Sequence, residues 1–177
     1  MPAIAKIAEP LIRENIIRAI GDVFKTMLGH SAVLRAASFV GASDTPPAPS
    51  AGATEGGRHV VGTVGFIGEA NGLVYLYLDE DFAMRCTGDL LGLSALELAE
   101  AGAESVNDAI GEITNMVVGS FKNGLCDAGF PCKLTIPSIL RGSNFSVEPI
   151  KSAERHVYVF ECRGRRITAD ILLKSED

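Results

Sequence analysis

The 177-residue chain has no tryptophan, three histidines and four cysteines, and nowhere a cluster of lysine or arginine. Each scarcity removes a class of function. Cys86, Cys126, Cys132 and Cys162 form no C-x-x-C pair and have no histidine at ligand spacing, which argues against zinc and leaves reduced thiols in the cytoplasm as the expectation. Without a basic patch or basic aromatic stripe, and with a net charge of −6, the chain is a poor match for nucleic acid and has no electrostatic reason to seek an anionic membrane. The opening stretch MPAIAKIAEPLIRENIIRAI places charges among its apolar positions, unlike a signal peptide or a spanning segment.

What is present is an ordinary globular composition, 47% apolar and 21% charged. The length predicts one domain over residues 1–177 with a substantial core. Pro10 suits a first helical turn, and Ile12, Ile16, Ile20, Val23 and Met27 then recur at helical spacing up to Gly29. Residues 32–40 read as a strand. Residues 42–58, rich in proline, glycine and small polar side chains, read as a mobile loop inserted within that domain.

Strands are expected at 59–67 and 73–78, joined by Glu69-Ala70-Asn71-Gly72, where Asn-Gly accepts positive φ at both turn positions. Gly62 and Gly65 are not a phosphate loop, since no Lys-Ser/Thr and no helix follow. A short helix fits 80–91, and Ser94 with Glu97 forms a capping-box pattern opening another helical stretch. The sequence leaves open whether that stretch kinks at Gly102. After Gly129, a plausible helix cap, strands are expected at 133–136, 138–141, 145–150, 156–162 and 167–173, the last two joined through Arg163-Gly164-Arg165. The fold class is α+β: a mostly antiparallel sheet covered on one face by amphipathic helices.

Residues 104–129, ESVNDAIGEITNMVVGSFKNGLCDAG, form the longest helical pattern. Val106, Ile110, Ile113, Val117 and Phe121 fall within an arc of roughly 80°, the stripe of a helix packed on a core. Asp108, Glu112, Asn115, Gly119 and Lys122 fall together on the opposite side, within about 40° of Asp108. Glu104 and Asn107 repeat the Glu-x-x-Asn spacing one turn earlier but lack an Asp or Ser four positions ahead. Gly111 and Gly119 beside the polar line suggest that another backbone approaches closely, either a partner's or a neighbouring element of the same chain, because helical glycine costs ~1 kcal/mol relative to alanine.

Two carboxylates one turn apart on the same face cannot flank a glycosidic bond. His30, His59 and His156 read as boundary residues near a helix end and at strand starts, with no acid placed beside them for nucleophilic catalysis. Cys126 and Cys132 read as small buried residues flanking a turn. A carboxamide can hold a water at a fixed angle, and a carboxylate one turn away can pair with a partner's Lys or Arg. Together they suit work on the labile acyl phosphate of another protein.

The run Asp108-Ala109-Ile110-Gly111-Glu112-Ile113-Thr114-Asn115-Met116, followed by Pro137, resembles the motif of the CheX/CheC/FliY family of chemotaxis phosphatases. The resemblance implies a helix-on-sheet fold and hydrolysis of the phospho-aspartate of a CheY-like response regulator. In it Glu112 pairs with the regulator's lysine and Asn115 orients the attacking water. Asp108, Gly111, Gly119 and Lys122 become candidate partner-binding residues. No cofactor of the chain's own is implied, Mg²⁺ being supplied by the phosphorylated partner. The single copy of the motif is nearer the CheX type, which implies a homodimer built through sheet edges. The alternative is a non-catalytic adaptor of the same fold that grips a response regulator or flagellar-switch component.

Overall fold

The computed structural model describes residues 6–41, 57–148 and 152–174. Its elements run α1 (Glu9–Val23), β1 (Val33–Val40), β2 (His59–Gly68), β3 (Gly72–Asp79), α2 (Glu80–Leu91), α3 (Ala95–Asp127), β4 (Cys132–Leu134), β5 (Ser138–Gly142), β6 (Ala153–Cys162) and β7 (Arg165–Lys174). The last turn of the first helix, Phe24–Leu28, widens to π-helical and stops at Gly29, whose φ of 74° needs glycine.

All strand pairings are antiparallel, in one seven-stranded sheet of order β1-β6-β7-β3-β2-β4 with β5 also on β2. One edge of β2 takes β3, and the other is shared between β4, at Phe66 to Gly68, and β5, at His59 to Thr63. The α+β class read from the sequence is the class found.

Helices cover one face of this sheet. Val60, Val64 and Phe66 of β2, Val74, Leu76 and Leu78 of β3, and Ile167, Ala169, Ile171 and Leu173 of β7 alternate inward against α1 and α3. From the helices come Ile12, Ile16, Ile20, Val106, Ile110, Ile113, Val117 and Phe121, so the expected stripe of α3 is buried whole and that of the first helix as far as Val23, with Met27 half-buried. The Phe66 and Phe121 rings meet edge to face with centroids 5.9 Å apart, fixing the far end of α3 on β2.

The opposite face carries a charge pair. Arg155 holds Asp170 through Nε at 3.0 Å and Nη2 at 2.7 Å, and both side chains are almost wholly buried. Burial and the adjacent Asp170 push the Tyr77 hydroxyl far above its ordinary pKa.

Several details settle or correct the sequence reading. At Gly102 the backbone leaves the helix with φ 75° and ψ −173°, so the stretch from Ser94 kinks before the motif. The capping box at Ser94 is real: Glu97 N–H donates to Ser94 Oγ at 3.2 Å and Ser94 N–H to Glu97 Oε2 at 2.7 Å. The helix stops at Asp127, with Gly129 one position past the cap Ala128. Phe130 N–H bonds back to Leu125 O at 2.9 Å and Gly129 N–H to Cys126 O at 3.0 Å.

The positive-φ hairpin turn lies at Arg163 (52°) and Gly164 (72°), not at Asn71-Gly72. Asn71 instead folds its amide back, donating to Gly68 O at 2.9 Å and accepting from Gly68 N–H at 3.2 Å, which closes the loop without a left-handed residue. The strand expected at 145–150 is absent over its described part, 145–148. After Asn144 turns with φ 57°, the chain must leave β5 at one side of the sheet and reach β6 on the other, so it runs as a connection.

His156 is no boundary residue. It is buried inside β6, its ring 4.7 Å from that of Phe39. The strand starts earlier because Glu154 and Arg155 are buried with partners, Lys6 and Asp170. The loop expected at 42–58 lies outside the described residues over 42–56. Its flanks belong to β1 and β2 of one sheet. Among the described residues, no helix is long and apolar enough to cross a membrane.

Candidate functional site

The motif helix is seated on β2 by a contact that the helical period alone does not reveal. Thr114 points inward, wholly buried, with its hydroxyl donating to Ile110 O at 2.6 Å. Beneath it is Gly62, where a Cβ would stand 2.8 Å from Thr114 Cβ. Glycine there lets the helix approach the strand, and a glycine inside a Val-rich strand is the signal that could have shown it.

With Thr114 and Ile113 turned in, the helical period turns Asp108 and Glu112 out to solvent and leaves Asn115 half-exposed on the same line. Glu112 and Asn115 are about 4.5 Å apart along the axis. Among the described residues, neither side chain has a hydrogen bond or ion pair, and the same holds for Asp108. Lys122, half-buried further along, donates to Asn123 Oδ1 at 3.3 Å.

The earlier Glu104/Asn107 pair behaves differently. Arg141 of β5 donates through Nε to Asn107 Oδ1 and through Nη2 to Ala103 O at 3.2 Å, so that asparagine's carbonyl is spent bracing the helix start after the kink. Arg141 was not anticipated, because only the β5 register on β2 brings it there.

The glycines also separate. Gly111 is buried on the side facing β5, and a Cβ there would lie 3.9 Å from Ile139 Cδ1, an ordinary contact. Gly119 is half-exposed, 3.8 Å by the same measure from Leu134 Cδ1. Neither position is crowded by the chain itself, so these glycines are not there to admit β4 or β5.

Burial makes two of the thiols poor nucleophiles. Burial pushes Cys132 up to about 11, with the neighbouring Cys126 thiol adding to the effect, and burial pushes Cys86 up to about 12. Cys126 and Cys132 flank the turn after α3, Cys132 buried as expected and Cys126 only half-buried. Among the described residues, no group of three His, Cys, Asp or Glu side chains is arranged to hold a metal ion.

The helix-on-sheet domain thus presents a carboxylate, Glu112, and a half-exposed carboxamide, Asn115, one turn apart on α3, neither with a side-chain partner among the described residues. Residues 60–161, more than half of the chain, match the family model described as chemotaxis phosphatase CheX. The chain belongs to this CheX family of chemotaxis phosphatases.

Among solved structures, the chain is similar to a chemotaxis protein CheX from Vibrio vulnificus, at 21% identity and TM-score 0.74, covering 92% of this chain and 99% of that one. It is similar to a CheC-like superfamily protein from Shewanella sp. PV-4, at 19% identity and TM-score 0.75, covering 95% and 100%. It is also similar to the complex of CheX with CheY, BeF3 and Mg²⁺ from Borrelia burgdorferi, at 20% identity and TM-score 0.68, covering 93% and 98%. Comparison with curated proteins gives no match.

Proposed function

We propose that the chain hydrolyses the phospho-aspartate of a CheY-like response regulator, with Asn115 orienting the attacking water and Glu112 pairing with a cationic side chain of the regulator. One observation carries the reading. Of two Glu-x-x-Asn pairs on the same helix, Asn107 is held by Arg141, whereas Glu112 and Asn115 have no partner among the described residues.

An asparagine amide can accept from water through its oxygen and donate through its nitrogen, so it fixes the water's orientation as well as its position. In-line attack on an acyl phosphate needs that positioning and charge neutralisation more than it needs a protein nucleophile. The neutralising Mg²⁺ belongs to the partner's phosphorylation pocket in this reading. Glu112 supplies the docking charge, and its freedom from any ion pair within the chain means that none has to be broken first. Asp108, Gly119 and Lys122 flank the contact, while Gly111, buried beside Ile139, supports the helix from inside. The reading includes a homodimer through sheet edges, which sedimentation of the purified chain tests.

The experiment is phosphate release from an acetyl-phosphate-labelled CheY-like receiver, wild type against Asn115→Ala, with circular dichroism as the folding control. Loss of acceleration in a folded variant is expected. Equal rates would sink the catalytic role of Asn115.

A further inference from the structure

Beside the motif helix stands an apolar side chain with nothing over it. Ile136, in the connection between β4 and β5, is 87% exposed, the most exposed large apolar residue among those described. Its position relative to the helix follows from the flanking contacts. Gly111 packs beside Ile139 and Gly119 beside Leu134, so the turn carrying Asn115, midway between the two glycines, runs alongside residues 135–137.

The connection is also held firmly. Thr135 N–H donates to Gly65 O at 2.8 Å, and Gly65 N–H returns a bond to Thr135 Oγ1 at 2.9 Å. Pro137 follows with its φ fixed by the ring. The strands on either side, β4 and β5, are both anchored on β2. Isolated exposed apolar residues are common. Ile136 is set apart by being presented on a braced backbone next to a carboxamide that has no partner of its own.

We propose that Ile136 is a docking residue for the phosphorylated receiver, fitting an apolar depression at the rim of the receiver's phosphorylation pocket. The inference rests on the reading given under Proposed function: a partner that brings its acyl phosphate to Asn115 lies across residues 135–137 as well. The division of labour is physical. Glu112 gives orientation and encounter rate through charge, and Ile136 gives affinity through buried apolar area at little entropic cost, because its backbone is already ordered. An apolar side chain has no group to offer the hydrolytic water or the reacting phosphate, so the role is that of a positioning residue.

Two measurements separate this inference from the phosphatase reading. In steady-state dephosphorylation of an acetyl-phosphate-labelled CheY-like receiver, Ile136→Asp should raise the half-saturating receiver concentration at least tenfold with kcat unchanged, and Ile136→Leu should behave as wild type. In a titration with the beryllofluoride-loaded receiver, which reads binding without chemistry, Ile136→Asp should weaken the complex by the same factor. An unchanged affinity for Ile136→Asp, or a fall in kcat without a change in half-saturation, overturns the proposal. If the wild type binds but does not hydrolyse, the catalytic reading fails and the titration still judges Ile136. A wild type that binds no receiver overturns both.

Discussion

Arg141 donates through Nε to the side-chain carbonyl of Asn107, 34 residues earlier in the chain, and this bond has no counterpart at Asn115 of the second Glu-x-x-Asn pair. Removing it should cost stability and not activity. Asn107→Ala is expected to lower unfolding free energy by ~1–2 kcal/mol, since the Arg141 guanidinium loses its side-chain acceptor in a half-buried site. Phosphate release should persist, while Asn115→Ala shows the reverse pattern. Urea titration beside the release assay checks both halves.

Glu112→Lys replaces a free carboxylate with the charge expected on the partner. Regulator binding should weaken at least tenfold, about 1.4 kcal/mol, and wild-type affinity should fall with added salt. An affinity unchanged by the substitution in a titration would remove Glu112 from the interface.

Gly62→Ala puts a methyl group into space already held by Thr114. A loss of ~3 kcal/mol is expected for such overpacking against a helix that cannot shift without disturbing Phe121 on Phe66. Thr114→Ala in the same chain should recover part of it, because the clash with the hydroxyl goes and the 2.8 Å approach to Cβ remains. Thermal melts of the single and double variants test the pairing.

Arg155→Met should be among the most damaging single changes, ~3–5 kcal/mol, because it leaves the Asp170 carboxylate buried without its partner. Asp170→Asn placed with it should restore much of the loss. If the double variant is no better than the single one, the damage comes from lost packing of the arginine stem.

Buried His156 makes stability depend on pH. Burial lowers its pKa below the ordinary 6.5, against the opposing pull of Glu154, with Glu9 and Lys6 acting more weakly and in opposite senses. The unfolded chain therefore takes up this proton first, and the native state is at its full advantage above 6.5 and loses it as pH falls through the window below. Melting temperature should decline from pH 7 to pH 5 in wild type. The slope should be shallower in His156→Leu.

The polar line on α3 was legible because the helical period alone sorts Asp108, Glu112 and Asn115 from Ile113 and Val117, and a long helix makes that sorting robust. Turn chemistry was less so. Asn71-Gly72 and Arg163-Gly164 are both plausible left-handed pairs, and only the folded loop shows that Asn71 bonds Gly68 through its side chain while Arg163 takes the positive φ. The sequence does not single out Arg155 and Asp170, since nothing local announces that they meet across β6 and β7. Arg141 and Ile136 owe their places to strand register on β2, which is a long-range property.

The strand order has a consequence for how the chain is made. The β6–β7 hairpin, late in the sequence, sits between β1 and β3, so it links parts of the sheet that were synthesised well before it. Until that hairpin leaves the ribosome, β1 has no neighbour to pair with, and β3 has one side open. Such late, long-range closure predicts slow folding and an interval in which unpaired edges need shielding. Closure of its short two-residue turn at Arg163-Gly164 is then the step that joins β1 to the part of the sheet already paired around β2.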